Sequence, residues 1–169
     1  DVKSKGAKAL AVLVDPDMRD KNLLPEIAEK IEQAGVEIIF FGGSLLTQFE
    51  LDEKIEFLKK YTSAKVITYP SSVQQISAKA DAILFLSLIS GRNADLLIGN
   101  HVIAAPYLKL SPLEILPTGY MLIDGGAPTS VLYMSNTRPI PTHKEDIAVC
   151  TAMAGEMLGL RLLYMDAGS

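Results

Sequence analysis

Short apolar runs alternate with amphipathic stretches along this chain, and three of the runs end in a similar way. Val14-Asp15-Pro16-Asp17, Phe41-Gly42-Gly43-Ser44 and Tyr164-Met165-Asp166-Ala167-Gly168-Ser169 each carry an apolar segment into carboxylates, hydroxyls or small residues. Such alternation marks βα units that feed a parallel sheet. When a parallel sheet closes on itself, the loops after its strands open on one face, and sites are built there. The three polar strand ends are therefore expected to belong to one site.

Six apolar runs read as strands: Ala9 to Val14, Val36 to Phe41, Lys65 to Tyr69, Ala82 to Leu88, Leu113 to Ile123 and Leu160 to Tyr164. Val36 to Phe41 is apolar throughout except Glu37, as suits a strand covered on both faces. Between the runs, Leu24, Ile27 and Ile31 give one helical stripe, with Asn22 as its expected cap. Leu51, Ile55 and Leu58 give another, with Thr47 and Glu50 spaced as a capping box. Val73 to Lys79 and Asn93 to Gly99 read as short helical pieces, and Val102 to Leu110 as irregular structure threaded by Pro106. Pro117 inside the fifth strand removes a ladder donor and predicts a bulge or kink. The Pro-, Gly- and Ser-rich stretch from Gly125 to Pro141 reads as one long loop. After it, Thr142 to Glu145 forms a second capping box. Ile147, Val149, Cys150, Met153, Met157 and Leu158 then offer a broad apolar helix face.

Six such units fit a (βα)8 barrel represented by about its first six strands, with strands seven and eight lacking. Local pattern alone fits a doubly wound open sheet nearly as well. A chain of 169 residues, 49% hydrophobic, suits a single domain with a sizeable core. The net charge of −4 argues against a nucleic-acid-binding surface. One cysteine excludes an intrachain disulfide and fits a reducing, cytoplasmic location; helix periodicity predicts that its thiol is buried. No apolar run has the length of a transmembrane segment. A mean hydropathy of +0.24 is compatible with a homo-oligomer.

Among the polar strand ends, Asp15 is the better candidate for a hard cation, which takes oxygen ligands. Asp15 and Asp17 equally suit the capping of an Asp-Pro turn. Gly42-Gly43-Ser44 lets a backbone approach an anion and adds a hydroxyl, although the same tripeptide makes an ordinary strand-to-helix turn. Tyr164 and Asp166 lie two residues apart, so a strand places both on one face, where a carboxylate can accept a proton from a positioned hydroxyl. His101 and His143 have no partner at metal-ligand spacing and are expected at the surface or as caps. The chain contains neither a G-x-S-x-G elbow nor a phosphate-binding G-x-x-x-x-G-K-[ST] loop.

Taken in series, these stretches resemble the geranylgeranylglyceryl phosphate synthases and their bacterial heptaprenylglyceryl phosphate synthase relatives. The resemblance runs through Leu13 to Asp17, Phe41 to Ser44, Tyr69 to Ser72 and Leu84 to Leu88. It continues through Leu116 to Gly126, Ala154 to Gly159 and Tyr164 to Ser169, and Pro117-Thr118-Gly119-Tyr120 is its most distinctive part.

The resemblance implies a modified TIM barrel that joins sn-glycerol 1-phosphate to a polyprenyl diphosphate of the geranylgeranyl kind. Pyrophosphate would leave, and the ether-linked product would be a phospholipid precursor destined for membranes. It also implies Mg²⁺ held by Asp15 and Ser44 against the diphosphate. Glycerol phosphate would bind along Tyr164, Met165, Asp166, Ala167, Gly168 and Ser169, with Tyr120 flooring the reacting centre and Asp166 and Tyr164 catalytic. The family usually carries Glu where this chain has Asp166, one methylene shorter. A sugar-phosphate isomerase on a similar barrel and a catalytically silent scaffold are the alternatives. A prenyltransferase needs a long apolar groove, whereas an isomerase needs a small polar pocket.

Overall fold

A computed structural model describes residues 6, 8–17, 23–47 and 50–168 of the chain. Among these, six strands and five α-helices run in the order β1 (Ala11–Val14), α1 (Leu23–Gln33), β2 (Ile38–Phe41), α2 (Leu51–Tyr61), β3 (Lys65–Thr68) and β4 (Ala82–Leu88). They are followed by α3 (Asn100–Leu110), β5 (Glu114–Leu122), α4 (Ser130–Ser135), α5 (Glu145–Met157) and β6 (Leu162–Asp166). No helix among the described residues is long and apolar enough to cross a membrane. The chain divides into two compact units: residues 1–83 with 112–114, and residues 84–111 with 115–169.

The first unit holds β1, β2, β3 and the start of β4, paired in chain order. The β1–β2, β2–β3 and β3–β4 pairs are parallel, with Val14 opposite Phe41, Phe41 opposite Thr68, and Thr68 opposite Ile83. Ile39, Phe41, Val66 and Ile83 are almost wholly buried. Each such side chain contributes about 1.5–3 kcal/mol. Helix α1 buries Leu24, Ala28 and Ile31, and α2 buries Leu51, Ile55 and Leu58. The first stripe thus passes through Ala28 in place of Ile27, while the second is the expected one. The proposed cap at Asn22 lies outside the described residues. Helix α2 begins at Leu51 after Glu50, not near Thr47, because Thr47 bonds elsewhere.

Asp81, just before β4, ties the start of the β3–β4 pair. Its carboxylate accepts the Val66 N–H at 2.9 Å and the Lys59 ammonium at 3.2 Å. Burial pushes its pKa up, but the Val66 bond and the charges of Lys59 and Lys65 outweigh that and leave the pKa lowered.

The second unit holds the rest of β4, then β5 and β6, again in chain order. The order reverses in neither unit, as it would at the switch point of a doubly wound sheet. β5 and β6 are parallel, with Tyr120 opposite Tyr164 and Leu122 opposite Asp166. Pro117 lies within β5, just before Thr118, the first residue paired with β6, and its carbonyl accepts the Arg161 N–H.

Several expectations fail in this unit. The stretch from Val102 to Leu110 is not irregular: it is helical, continuous with a π-helical turn at Asp95–Gly99, and Pro106 sits inside it. Only His101, Ala104 and Leu108 are buried, so apolar residues on its outer side blurred the period. The long loop after β5 contains helix α4, with Thr129 accepting the Leu132 N–H and Asn136 closing it in the left-handed conformation. Helix α5 packs through small residues, not its large ones: Gly155 is buried, with Ala148, Thr151 and Ala152 half-buried beside it on the same stripe. A Cβ at Gly155 would meet Ile89. Cys150 is accordingly exposed, as are Val149, Met157 and Leu158.

His101 is buried, not at the surface. Its ring meets Phe85 edge-on at 4.4 Å, and Nδ1 is buried with no hydrogen-bond partner. Burial lowers its pKa, opposed in part by a bond to the Leu86 backbone. The unfolded chain, with a higher histidine pKa, binds the proton more readily, so the neutral ring stabilises the fold above the unfolded value near 6.5 and loses this effect as pH falls below it. Thermal midpoints at pH 5.5 and 7.5 should differ more for the wild type than for His101→Leu. Equal differences would exclude this residue as the source.

Candidate functional site

In the first unit the candidate residues lie at the exits of β1, β2 and β3. Asp15 follows β1 directly, exposed, and its Oδ1 accepts the Asp17 N–H at 2.8 Å. Asp17 faces the next loop: its Oδ2 accepts both the N–H and the hydroxyl of Thr47 at 2.6 Å. Lys54 donates to the Pro16 carbonyl at 2.8 Å. Of the two acids, Asp17 staples loops together and Asp15 is left at the strand end.

Gly42 and Gly43 lie where no side chain fits. The Gly42 N–H extends the ladder to the Val14 carbonyl, so it is not an anion donor. A Cβ at Gly42 would overlap the Tyr69 carbonyl oxygen. A Cβ at Gly43 would fall 2.9 Å from Asp15 Oδ2, so this glycine lets the β2 exit pass close to the carboxylate. Ser44 follows, half-buried, and its carbonyl accepts the Ser71 hydroxyl at 3.1 Å.

Asp15 and Ser44 are hard oxygen donors, the class that a small hard cation takes. No group of three or more His, Cys, Asp or Glu that could hold a metal occurs among the described residues. The donors fit an ion held by one carboxylate and a hydroxyl, its remaining positions taken by water and substrate phosphate, the habit of Mg²⁺.

In the second unit the candidate residues lie at the exits of β5 and β6. The register that sets Tyr120 opposite Tyr164 also brings Tyr120 to Asp166. The Tyr120 hydroxyl donates to Asp166 Oδ2 at 2.6 Å, and the Gly168 N–H donates to Oδ1 at 2.7 Å. The rings of Tyr120 and Tyr164 lie 5.7 Å apart. Tyr164 and Asp166 are both half-buried, whereas Met165 between them is exposed, as strand alternation requires.

The Ala167 carbonyl fills the place that a Cβ on Gly125 would take. Gly168 adopts φ 87° with Thr129 pressed where its Cβ would be. A side chain at Gly168 would thus be strained and crowded together. Ser169 lies outside the described residues.

Around this pair the surroundings are apolar. Leu88, Tyr120 and Leu122 form a buried cluster against which Leu86, Leu96, Val131, Leu132 and Tyr164 pack. Helix α4 supplies Val131 and Leu132, a contribution hidden while its segment read as a loop. Gln75 also went unnoticed. It is 2% exposed, and its carboxamide bonds to Gly43 and Ser71. Its four-residue spacing from Ser71 is the only local sign of this role.

A family model described as the PcrB family matches residues 5–169. The geranylgeranylglyceryl phosphate synthase of Chitinophaga pinensis is 54% identical over 169 residues, spanning 100% of this chain and 67% of that protein. The enzyme of the same name from Spirosoma linguale is 53% identical, spanning 100% and 68%. Among solved structures, the chain is similar to (S)-3-O-geranylgeranylglyceryl phosphate synthase from Thermoplasma acidophilum in complex with its substrate sn-glycerol-1-phosphate. There the identity is 34% and the TM-score 0.89, over 99% of this chain and 67% of that one. This chain thus spans about two thirds of such relatives, and the likeness bears out the TIM-barrel type over about its first six strands. By family model, sequence and structure alike, the chain belongs to the PcrB family.

Proposed function

We propose that the protein is a prenyltransferase that joins sn-glycerol 1-phosphate to a polyprenyl diphosphate, geranylgeranyl in class, releasing pyrophosphate. The observation that carries this reading is the hydrogen-bonded Tyr120–Asp166 pair set against an apolar cluster. The relatives named for this reaction support it.

In this reading Asp166 accepts the proton from the attacking glycerol hydroxyl, and Tyr120 and Gly168 hold the carboxylate in place. Bond formation between that oxygen and the allylic carbon breaks the bond from carbon to diphosphate. The glycerol phosphate is assigned to the segment from Tyr164 to Ser169. Asp15 and Ser44 are assigned to Mg²⁺. When bound, the ion neutralises charge on the departing pyrophosphate. Asp166 is shorter than the usual family Glu. Its bond to Tyr120 fixes the carboxylate directly, so reach must come from how the glycerol sits. A cytoplasmic location is part of the same proposal, in keeping with the single, unpaired cysteine.

The test is a transfer assay on the whole protein with labelled sn-glycerol 1-phosphate, Mg²⁺ and a ladder of prenyl diphosphates. Lipid-extractable label that disappears with EDTA is the expected result. No labelled lipid with any donor, from a folded protein, would defeat the proposal.

A further inference from the structure

The first unit contains a buried polar side chain that the chemistry above does not use. Gln75 lies in the 3₁₀ turn Val73–Gln75 after β3, 2% exposed. Burying an amide without partners costs about 1–3 kcal/mol on protein scales, so its bonds matter. Its Nε2 donates to the Gly43 carbonyl at 3.2 Å and to the Ser71 hydroxyl oxygen at 3.0 Å. Its Oε1 accepts the Ser71 N–H at 3.0 Å. Ser71 passes the restraint on, donating its own hydroxyl to the Ser44 carbonyl at 3.1 Å.

One carboxamide therefore holds consecutive carbonyls of the β2 exit, Gly43 directly and Ser44 through Ser71. These are the residue whose missing Cβ lets the backbone approach Asp15 and the residue assigned to the ion. From this geometry we infer that Gln75 is a positioning residue for the Mg²⁺–diphosphate end of the reaction. It touches neither ion nor substrate; it sets the Gly43-Ser44 backbone so that Ser44 and Asp15 are presented together.

The inference rests on the proposed role of Asp15 and Ser44. Partners that orient groups holding an ion typically alter its affinity by about 10–100-fold when removed. Gln75→Glu keeps the shape and the acceptor for Ser71 N–H but sets an oxygen against the Gly43 carbonyl. Ser71→Ala, at an exposed position, removes the bond to Ser44 and one acceptor of the Gln75 amide but leaves the Gln75 bonds to the Gly43 carbonyl and the Ser71 N–H, and remains informative if Gln75→Glu does not fold.

Binding should be followed by calorimetry on the whole protein, with inorganic pyrophosphate titrated in the presence of Mg²⁺. In parallel, sn-glycerol 1-phosphate is titrated without the metal. Gln75→Glu is expected to weaken Mg²⁺-dependent pyrophosphate binding about tenfold, and Ser71→Ala less, with glycerol phosphate affinity unchanged in both. Unchanged pyrophosphate binding in the folded variants, or equal weakening of both ligands, would overturn the positioning role. Asp15→Asn runs alongside. If it leaves pyrophosphate binding intact, the metal assignment itself fails; if it abolishes binding while the other two variants match the wild type, only the inference about Gln75 fails.

Discussion

Asp166→Asn is expected to reduce prenyl transfer by about 10²–10⁴-fold, the usual scale for removing a positioned base. The fold should persist, because the amide can reproduce both bonds: its oxygen accepts the Gly168 N–H, and its NH₂ donates to the Tyr120 oxygen. What is lost is basicity. The loss should therefore fall on kcat, with KM for glycerol phosphate little changed, as when an interaction serves the transition state alone. Asp166→Glu restores the usual family residue and should retain much of the activity. Tyr120→Phe keeps the ring packing against Tyr164 and removes one donor to the carboxylate. Its expected effect is a smaller fall in kcat, because the carboxylate keeps the Gly168 N–H but loses the hydroxyl that orients its other oxygen. Wild-type kcat in Asp166→Asn would remove this residue from proton transfer and direct the search to another base.

How far the sequence could be read depends on where each signal resides. Ala82 to Leu88 was legible to the residue, because a strand buried or half-buried along its length writes that as an almost continuous apolar run. The stripe Leu51, Ile55 and Leu58 was legible for the corresponding reason in a helix. Helix α3 was not: apolar residues such as Val102, Ile103 and Tyr107 lie exposed beside the buried His101, Ala104 and Leu108, and Pro106 argues against a helix locally. In α5 the largest apolar residues drew attention, yet the helix seats itself on Gly155, where only a small residue admits Ile89.

The polar pairs divide in the same way. Tyr164 and Asp166 share a face by strand period alone. The bond from Tyr120 to Asp166 spans 46 residues and needs the register of β5 on β6. Gln75 in a polar loop resembles any solvated glutamine until the fold buries it.

Asp15→Asn is expected to abolish Mg²⁺-dependent turnover while sparing the fold, and the contrast with Asp17 shows why. Asp17 accepts two bonds from Thr47 and is committed to loop structure, so its replacement should lower stability. Asp15 is exposed and accepts the Asp17 N–H through one oxygen; an asparagine carbonyl can keep that bond. The substitution thus removes little except a negative charge, the part that a hard dication requires. A Mg²⁺ titration of turnover separates the possibilities: a curve shifted to much higher Mg²⁺, or flat at background, is expected for Asp15→Asn, with a thermal midpoint close to wild type. Asp17→Asn should show the reverse, a lowered midpoint and an ordinary Mg²⁺ dependence in the fraction that folds. An unshifted titration for Asp15→Asn would assign the ion to other oxygens and return Asp15 to the role of a turn cap, the other reading that its place after β1 allows.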